Sequence, residues 1–155
     1  MVMDANQKAP DFALPNENGE LVTLSSLFGK PIVLFFYPRA NTPGCTVEAC
    51  GFRDNYGKLI RAGLTVLGIS PDTPKAQKKF QEKYSLPYTL LADAEKDVAK
   101  LFDVLKEKNM YGKKVMGIER TTFLIAPDGT IAHVWRKVKP EGHADQVLAE
   151  AKAYK

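Results

Sequence analysis

The chain has 155 residues, 45% of them hydrophobic and 26% charged, with a net charge of +4. That is the size and composition of one soluble globular domain spanning 1–155, and it excludes disordered and fibrous classes. The lysines alternate with acids, as in the stretch Lys75–Tyr84, so the positive balance reads as solvated helix faces and excludes a nucleic-acid surface.

The N-terminal residues carry Asp4 and no apolar core, which argues against a signal peptide. The strongly apolar run Ile32–Tyr37 is too short to cross a bilayer. A cytoplasmic, reducing location is therefore expected. That run has the pattern of a strand buried on both faces. A helical pattern follows Cys45 and continues to a stop at Gly63, with Val47, Cys50, Tyr56, Leu59 and Ile60 available for one face. Leu64–Ser70 is a second buried strand. Thr73-Pro74 opens a helix over 74–84, as an N-cap followed by a first-turn proline. Residues 94–102 place Val98, Leu101 and Phe102 at helical spacing. The segment Lys106–Lys114 is basic and reads, with its neighbour Gly117, as a loop. Thr121–Ala126 and Ile131–Val138 flank Pro127-Asp128-Gly129 and form a hairpin. A last helix starts near His143. This order predicts an α/β fold of thioredoxin-like layout, with N-terminal additions and a central mixed β-sheet flanked by helices.

The two cysteines, Cys45 and Cys50, are too few to staple a fold and read as a redox or nucleophile site. Thr42-Pro43 has the form of an N-cap and a first helical proline, which places Cys45 in the first turn of a helix. Free N–H groups and the positive end of the helix dipole meet the sulfur there, and both favour thiolate over thiol. A buried structural cysteine is the bland alternative. The neighbours weigh against it. Gly44 leaves backbone open beside the sulfur, Pro38 and Pro43 stiffen the approach, and Thr42 offers a hydroxyl. In one intact helix, residues five apart have Cα atoms about 8.6 Å apart. A disulfide needs roughly 4.4–6.8 Å. Either Cys50 is inert, or the helix unwinds, and Gly51 would ease unwinding.

Pro38, Thr42 and Cys45, spaced as P-x-x-x-T-x-x-C, resemble the peroxiredoxin active-site motif. The fuller string Thr42–Asp54 resembles the Q-type, or bacterioferritin-comigratory, subfamily, and Ala9–Glu20 and Met110–Gly129 resemble its other signatures. The resemblance implies a thiol peroxidase acting on hydrogen peroxide or organic hydroperoxides. Cys45 would be the peroxidatic nucleophile, forming a sulfenic acid. Thr42 would bond the sulfur or the peroxide, and Pro38 would shield it from water. Arg120 would stabilise negative charge, with Glu48 orienting it. Cys50 would resolve the sulfenic acid to an intramolecular disulfide, reopened by a thioredoxin- or glutaredoxin-like reductant. The resemblance implies a monomer that needs no metal or other cofactor.

Three rivals share these cysteines. A disulfide reductase wants C-x-x-C, which is absent here. A copper-binding module could use both sulfurs and His133, but the C-x-x-x-C spacing is absent as well. His133 alternates with apolar neighbours and is expected to face solvent, while His143 is expected to open the last helix. A redox sensor shares the first chemical step and is separated only by turnover.

Overall fold

The computed structural model describes residues 5–110 and 112–152. A five-stranded mixed sheet has the order β5-β4-β3-β8-β9. These strands are β3 (Ile32–Phe36), β4 (Thr65–Ser70), β5 (Thr89–Ala92), β8 (Thr121–Ile125) and β9 (Ile131–Trp135). The apolar run Ile32–Phe36 lies at the centre of the sheet, which explains why all of its side chains are buried. It pairs parallel with β4 and antiparallel with β8.

Because strand side chains alternate, β3 feeds two cores. Val33 and Phe35 face one layer with Ala49, Phe52, Leu59, Phe80 and Val147. Ile32, Leu34 and Phe36 face the other with Leu24, Val98, Phe102 and Phe123. The first layer contains α1 (Pro43–Asp54), α2 (Tyr56–Arg61), α3 (Pro74–Tyr84) and α5 (His143–Lys152). The second contains α4 (Asp97–Leu101). The α/β, thioredoxin-like architecture is that expected from the sequence. Among the described residues, no helix is long and apolar enough to cross a membrane.

Local signals place several boundaries well. Thr73 Oγ1 accepts a hydrogen bond from Ala76 N at 3.2 Å, so α3 has the expected cap. The first helix starts at Pro43, which makes Cys45 its third residue.

Four expectations need correction. The helix does not run on to Gly63. It breaks at Asn55, whose backbone N–H and side-chain Nδ2 both donate to Gly51 O, ending α1 before α2 begins. The inward face of α1 is Cys45, Glu48, Ala49 and Phe52, whereas Val47 and, in α2, Ile60 are exposed. The inward spacing follows the helical three-and-four rule, offset from the stripe read in the sequence. The helix read at 94–102 is shorter, Asp97–Leu101, and exposes Leu101. The basic segment read as a loop is a hairpin of β6 (Leu105–Met110) and β7 (Lys113–Ile118), six residues paired with six. Its cross-strand ladder, together with a positive φ at Gly112 in the turn, supplies order that its polar composition conceals. The N-terminal additions are a small hairpin of β1 (Ala13–Pro15) and β2 (Leu21–Thr23).

Candidate active site

The antiparallel register of β3 and β8 builds the site. Phe36, the last residue of β3, pairs with Thr121, the first of β8. Arg120 therefore lies beside the point where β3 ends and the loop to α1 begins. Two segments 75 residues apart in sequence meet there.

The loop is held from below. Tyr37 N extends the strand ladder to Ile69 O at 3.0 Å. Ala40 N donates to Asp72 Oδ2 at 2.8 Å, and Ser70 Oγ donates to the same oxygen at 2.6 Å. Asn41 takes a left-handed backbone, with φ 63°. Pro38, half-buried, lies within this braced turn. Thr42 stands at the N-cap position, but its hydroxyl does not cap the helix. Its Oγ1 instead donates to Arg39 O at 2.9 Å, and no described contact joins it to the Cys45 sulfur.

Cys45 is buried, with 1% of its surface exposed. Burial was the mark of the bland alternative, yet the sulfur has an ionic neighbour. Arg120 Nη2 donates to Sγ at 3.4 Å, while Nη1 of the same guanidinium donates to Glu48 Oε1 at 2.9 Å. Glu48 is not a solvated charge at a helix start, because its side chain is wholly buried. Burial pushes its carboxyl up to about 7, against the opposing pull of Arg120. Glu48 thus holds its proton more tightly in the folded chain than in the unfolded one. It favours the fold fully at acid pH, and that contribution is lost as pH rises through about 7. Burial works against the Arg120 charge, but Glu48 and Cys45 outweigh it and push the guanidinium up.

Gly44 explains how Arg120 comes so close. A Cβ at this position would lie 3.1 Å from Arg120 Nη2 and 3.6 Å from Pro140 Cγ. We expect Gly44→Ala to push the guanidinium back by a few tenths of an ångström and to slow, about three- to tenfold, the reaction of Cys45 with peroxide that the resemblance implies. Alanine is the better helix former by up to about 1 kcal/mol, so urea stability should hold or rise. An unchanged rate in stopped-flow would show that Arg120 has room to spare.

Cys50 is half-buried, also in α1, and both cysteines are free thiols. With the helix intact, the two sulfurs are too far apart along it to bond. The described contacts holding α1 near Cys50 are modest. Tyr88 OH donates to Ala49 O at 2.7 Å, and a Cβ on Gly51 would meet Ala144 Cβ at 3.8 Å. Phe52, one turn beyond Ala49, is anchored firmly by stacking on Phe35 at 4.6 Å and meeting the His143 ring edge-on at 5.8 Å.

Tyr88, Lys139 and Pro140 were not singled out in the sequence, and Val138 was read only as the end of the second hairpin strand, which stops at Trp135. Val138 N donates to Arg120 O at 3.0 Å and so ties the last loop to the arginine. No local signal marks such a contact, since it exists only across the folded sheet. His143 does open α5, and it is buried. Its ring nitrogens contact Thr122 Oγ1 at 2.8 Å and Gln146 Oε1 at 3.1 Å. His133 is half-buried rather than free in solvent, with Nδ1 3.4 Å from Glu150 Oε1. Among the described residues, no three His, Cys, Asp or Glu side chains come together to hold a metal ion.

Residues 5–134 match the AhpC/TSA family. The chain is 51% identical over 148 residues to the putative peroxiredoxin bcp of Coxiella burnetii, covering 96% of this chain and 98% of that one. It is 47% identical over 152 residues to peroxiredoxin Bcp of Bacillus subtilis, covering 98% and 97% of the two chains. Among solved structures it superposes with a TM-score of 0.91, at 42% identity, on the bacterioferritin comigratory protein of Xanthomonas campestris, examined for alkyl peroxide reduction, covering 97% of this chain and 98% of that one. A sulfur at a helix start under an arginine, on this fold and with these relatives, leads to one assignment: the chain belongs to the AhpC/TSA family and is a peroxiredoxin of the bacterioferritin-comigratory, or Q, type, a thiol peroxidase.

Proposed function

We propose that Cys45 is the peroxidatic sulfur, acting on hydrogen peroxide and organic hydroperoxides in cytoplasmic antioxidant defence. The observation that carries this reading is the Arg120 Nη2–Cys45 Sγ contact at 3.4 Å, at the N-terminal turn of α1. The thiolate attacks the distal peroxide oxygen. The S–O bond forms as the O–O bond breaks, and Arg120 is placed to stabilise charge that builds on the oxygens. Thr42 and Pro38 belong to the same turn, and Thr42 would serve the incoming peroxide once its hydroxyl leaves Arg39 O.

Cys50 then closes on the sulfenic acid and releases water. For that, the first turns of α1 unwind, while Phe52 and the Asn55 cap hold the rest. A thioredoxin- or glutaredoxin-like dithiol reopens the disulfide by exchange. Because both sulfurs lie in one chain, a monomer completes the cycle.

The test is Cys50→Ser in a peroxidase assay coupled to thioredoxin, with dimedone as the sulfenic acid trap. The variant should consume about one equivalent of peroxide, carry the dimedone adduct on Cys45 and then stop. Turnover at the wild-type rate would remove Cys50 from the cycle, and an adduct elsewhere would remove Cys45.

A further inference from the structure

Among the described residues, one buried side-chain oxygen has no hydrogen-bond partner, and it belongs to the active site. It is Oε2 of Glu48. The other oxygen, Oε1, takes Arg120 Nη1, while Nη2 of the same guanidinium goes to Cys45 Sγ. A single cation therefore serves two buried groups, each of which becomes an anion on losing its proton.

Among the described residues, the other titratable groups facing this pair add no positive charge. From the entry to β5, the Tyr88 hydroxyl is spent on Ala49 O. From the end of β3, the Tyr37 hydroxyl donates to Gln77 Oε1. From α5, His143 is bonded to Thr122 and Gln146, and burial lowers its basicity, with the Arg120 charge adding to the effect. Two anions around one guanidinium would leave a net negative charge out of contact with water, which is costly. An oxygen that lacks a donor partner can be satisfied by carrying a proton itself.

We propose that Cys45 and Glu48 share one proton, so that Glu48 receives the thiol's proton when the thiolate forms and gives it up when the sulfur is oxidised. The first step is Cys45–SH plus Glu48–COO⁻ going to Cys45–S⁻ plus Glu48–COOH, with no electrons transferred. Peroxide attack then makes the S–O bond and breaks the O–O bond. The sulfur loses two electrons to the peroxide, and an alkoxide or hydroxide leaves. The neutral sulfenic acid no longer claims Arg120, so Glu48 ionises against it. The proton that Glu48 releases balances the one taken up by the leaving oxygen. Glu48 here holds the proton that Cys45 releases, the two competing for the one Arg120 charge, and the inference rests on Cys45 being the peroxidatic sulfur.

The test is an equilibrium titration of the reduced protein carrying ¹³C-labelled glutamate. The protonated-carboxyl stretch of Glu48 is followed by difference infrared in wild type and in Cys45→Ser. With its anionic neighbour gone, Glu48 should ionise about one pH unit lower in the variant. By reciprocity, Glu48→Gln in a Cys50→Ser background should make the Cys45 thiolate absorbance develop at lower pH than in Cys50→Ser alone. An unchanged Glu48 midpoint in Cys45→Ser overturns the proposal. So does a thiolate absorbance moved to higher pH by Glu48→Gln, the result expected if Glu48 only props up Arg120. If Glu48→Gln does not fold, the infrared arm decides alone. Peroxide turnover retained by Cys45→Ser is read in a separate assay, and would instead sink the functional reading on which the inference rests.

Discussion

Cys45→Ser is expected to leave a folded protein with no measurable peroxide turnover. The alcohol does not ionise near neutrality, and its oxygen lacks the nucleophilicity of a thiolate towards the peroxide O–O bond. The substitution is close to isosteric. The serine oxygen would remain buried in the first turn of α1, where it can accept from Arg120 Nη2 as the sulfur does now. No donor is orphaned, so stability should change by no more than about 1 kcal/mol. Peroxide consumption with a thioredoxin couple measures the first effect, and urea unfolding the second. Turnover comparable to wild type would place the chemistry elsewhere. A collapse in stability would mean that the sulfur is structural, returning Cys45 to the bland reading of a buried cysteine.

Arg120→Met is expected to cost both activity and stability, by separable routes. Loss of the Arg120 cation that contacts the sulfur should slow the peroxide reaction by roughly 10²–10³-fold, the scale seen when a preorganised donor to a developing oxyanion is removed. The same change leaves Glu48 buried without its ionic partner. Breaking a buried ion pair from one side costs about 3–5 kcal/mol if the remaining charge persists. Glu48 can escape part of that cost by keeping its proton, since burial already pushes it up to about 7. The unfolded chain ionises freely above the ordinary carboxylate range. The destabilisation relative to wild type should therefore grow as pH rises through and above about 7, where wild-type Glu48 ionises against Arg120 and the variant's Glu48 keeps its proton. Adding Glu48→Gln to Arg120→Met should restore most of the stability and none of the rate. Urea titrations at several pH values and stopped-flow peroxide kinetics decide. A double variant as unstable as the single would show that Arg120 holds the fold by contacts other than Glu48, for example through Val138 and the Gly44–Pro140 packing.

What the chain order alone could tell follows from the range of the forces involved. Caps and prolines act over three or four residues, so the starts of α1 at Pro43 and of α3 at Pro74 were legible. So was the turn at Pro127–Gly129 joining β8 to β9. The β6–β7 hairpin was not, because four lysines and two glycines (Gly112 and Gly117) in and beside its strands give the composition of a basic loop, while the ladder that orders it is formed only across the paired strands. The break at Asn55 was also hidden. An asparagine within an amphipathic stretch gives little warning that its backbone and side chain will both turn back to Gly51 O.

The same division runs through the site. Residue order alone is enough to put a cysteine in the first turn of a helix after a buried strand, with a second cysteine beyond bonding reach while that helix is intact. Both results are local geometry, since helix rise and rotation depend on residue count alone. Arg120 and Glu48 could be named through resemblance to a family, but their partnership was decided only by the tertiary structure. The antiparallel pairing of Phe36 with Thr121 brings Arg120 to the cysteine, and the inward face of α1 buries Glu48 beneath it. Among the described residues, one guanidinium is both the partner of the buried carboxylate and the neighbour of the sulfur, because charge is costly away from water wherever no opposite charge is held against it.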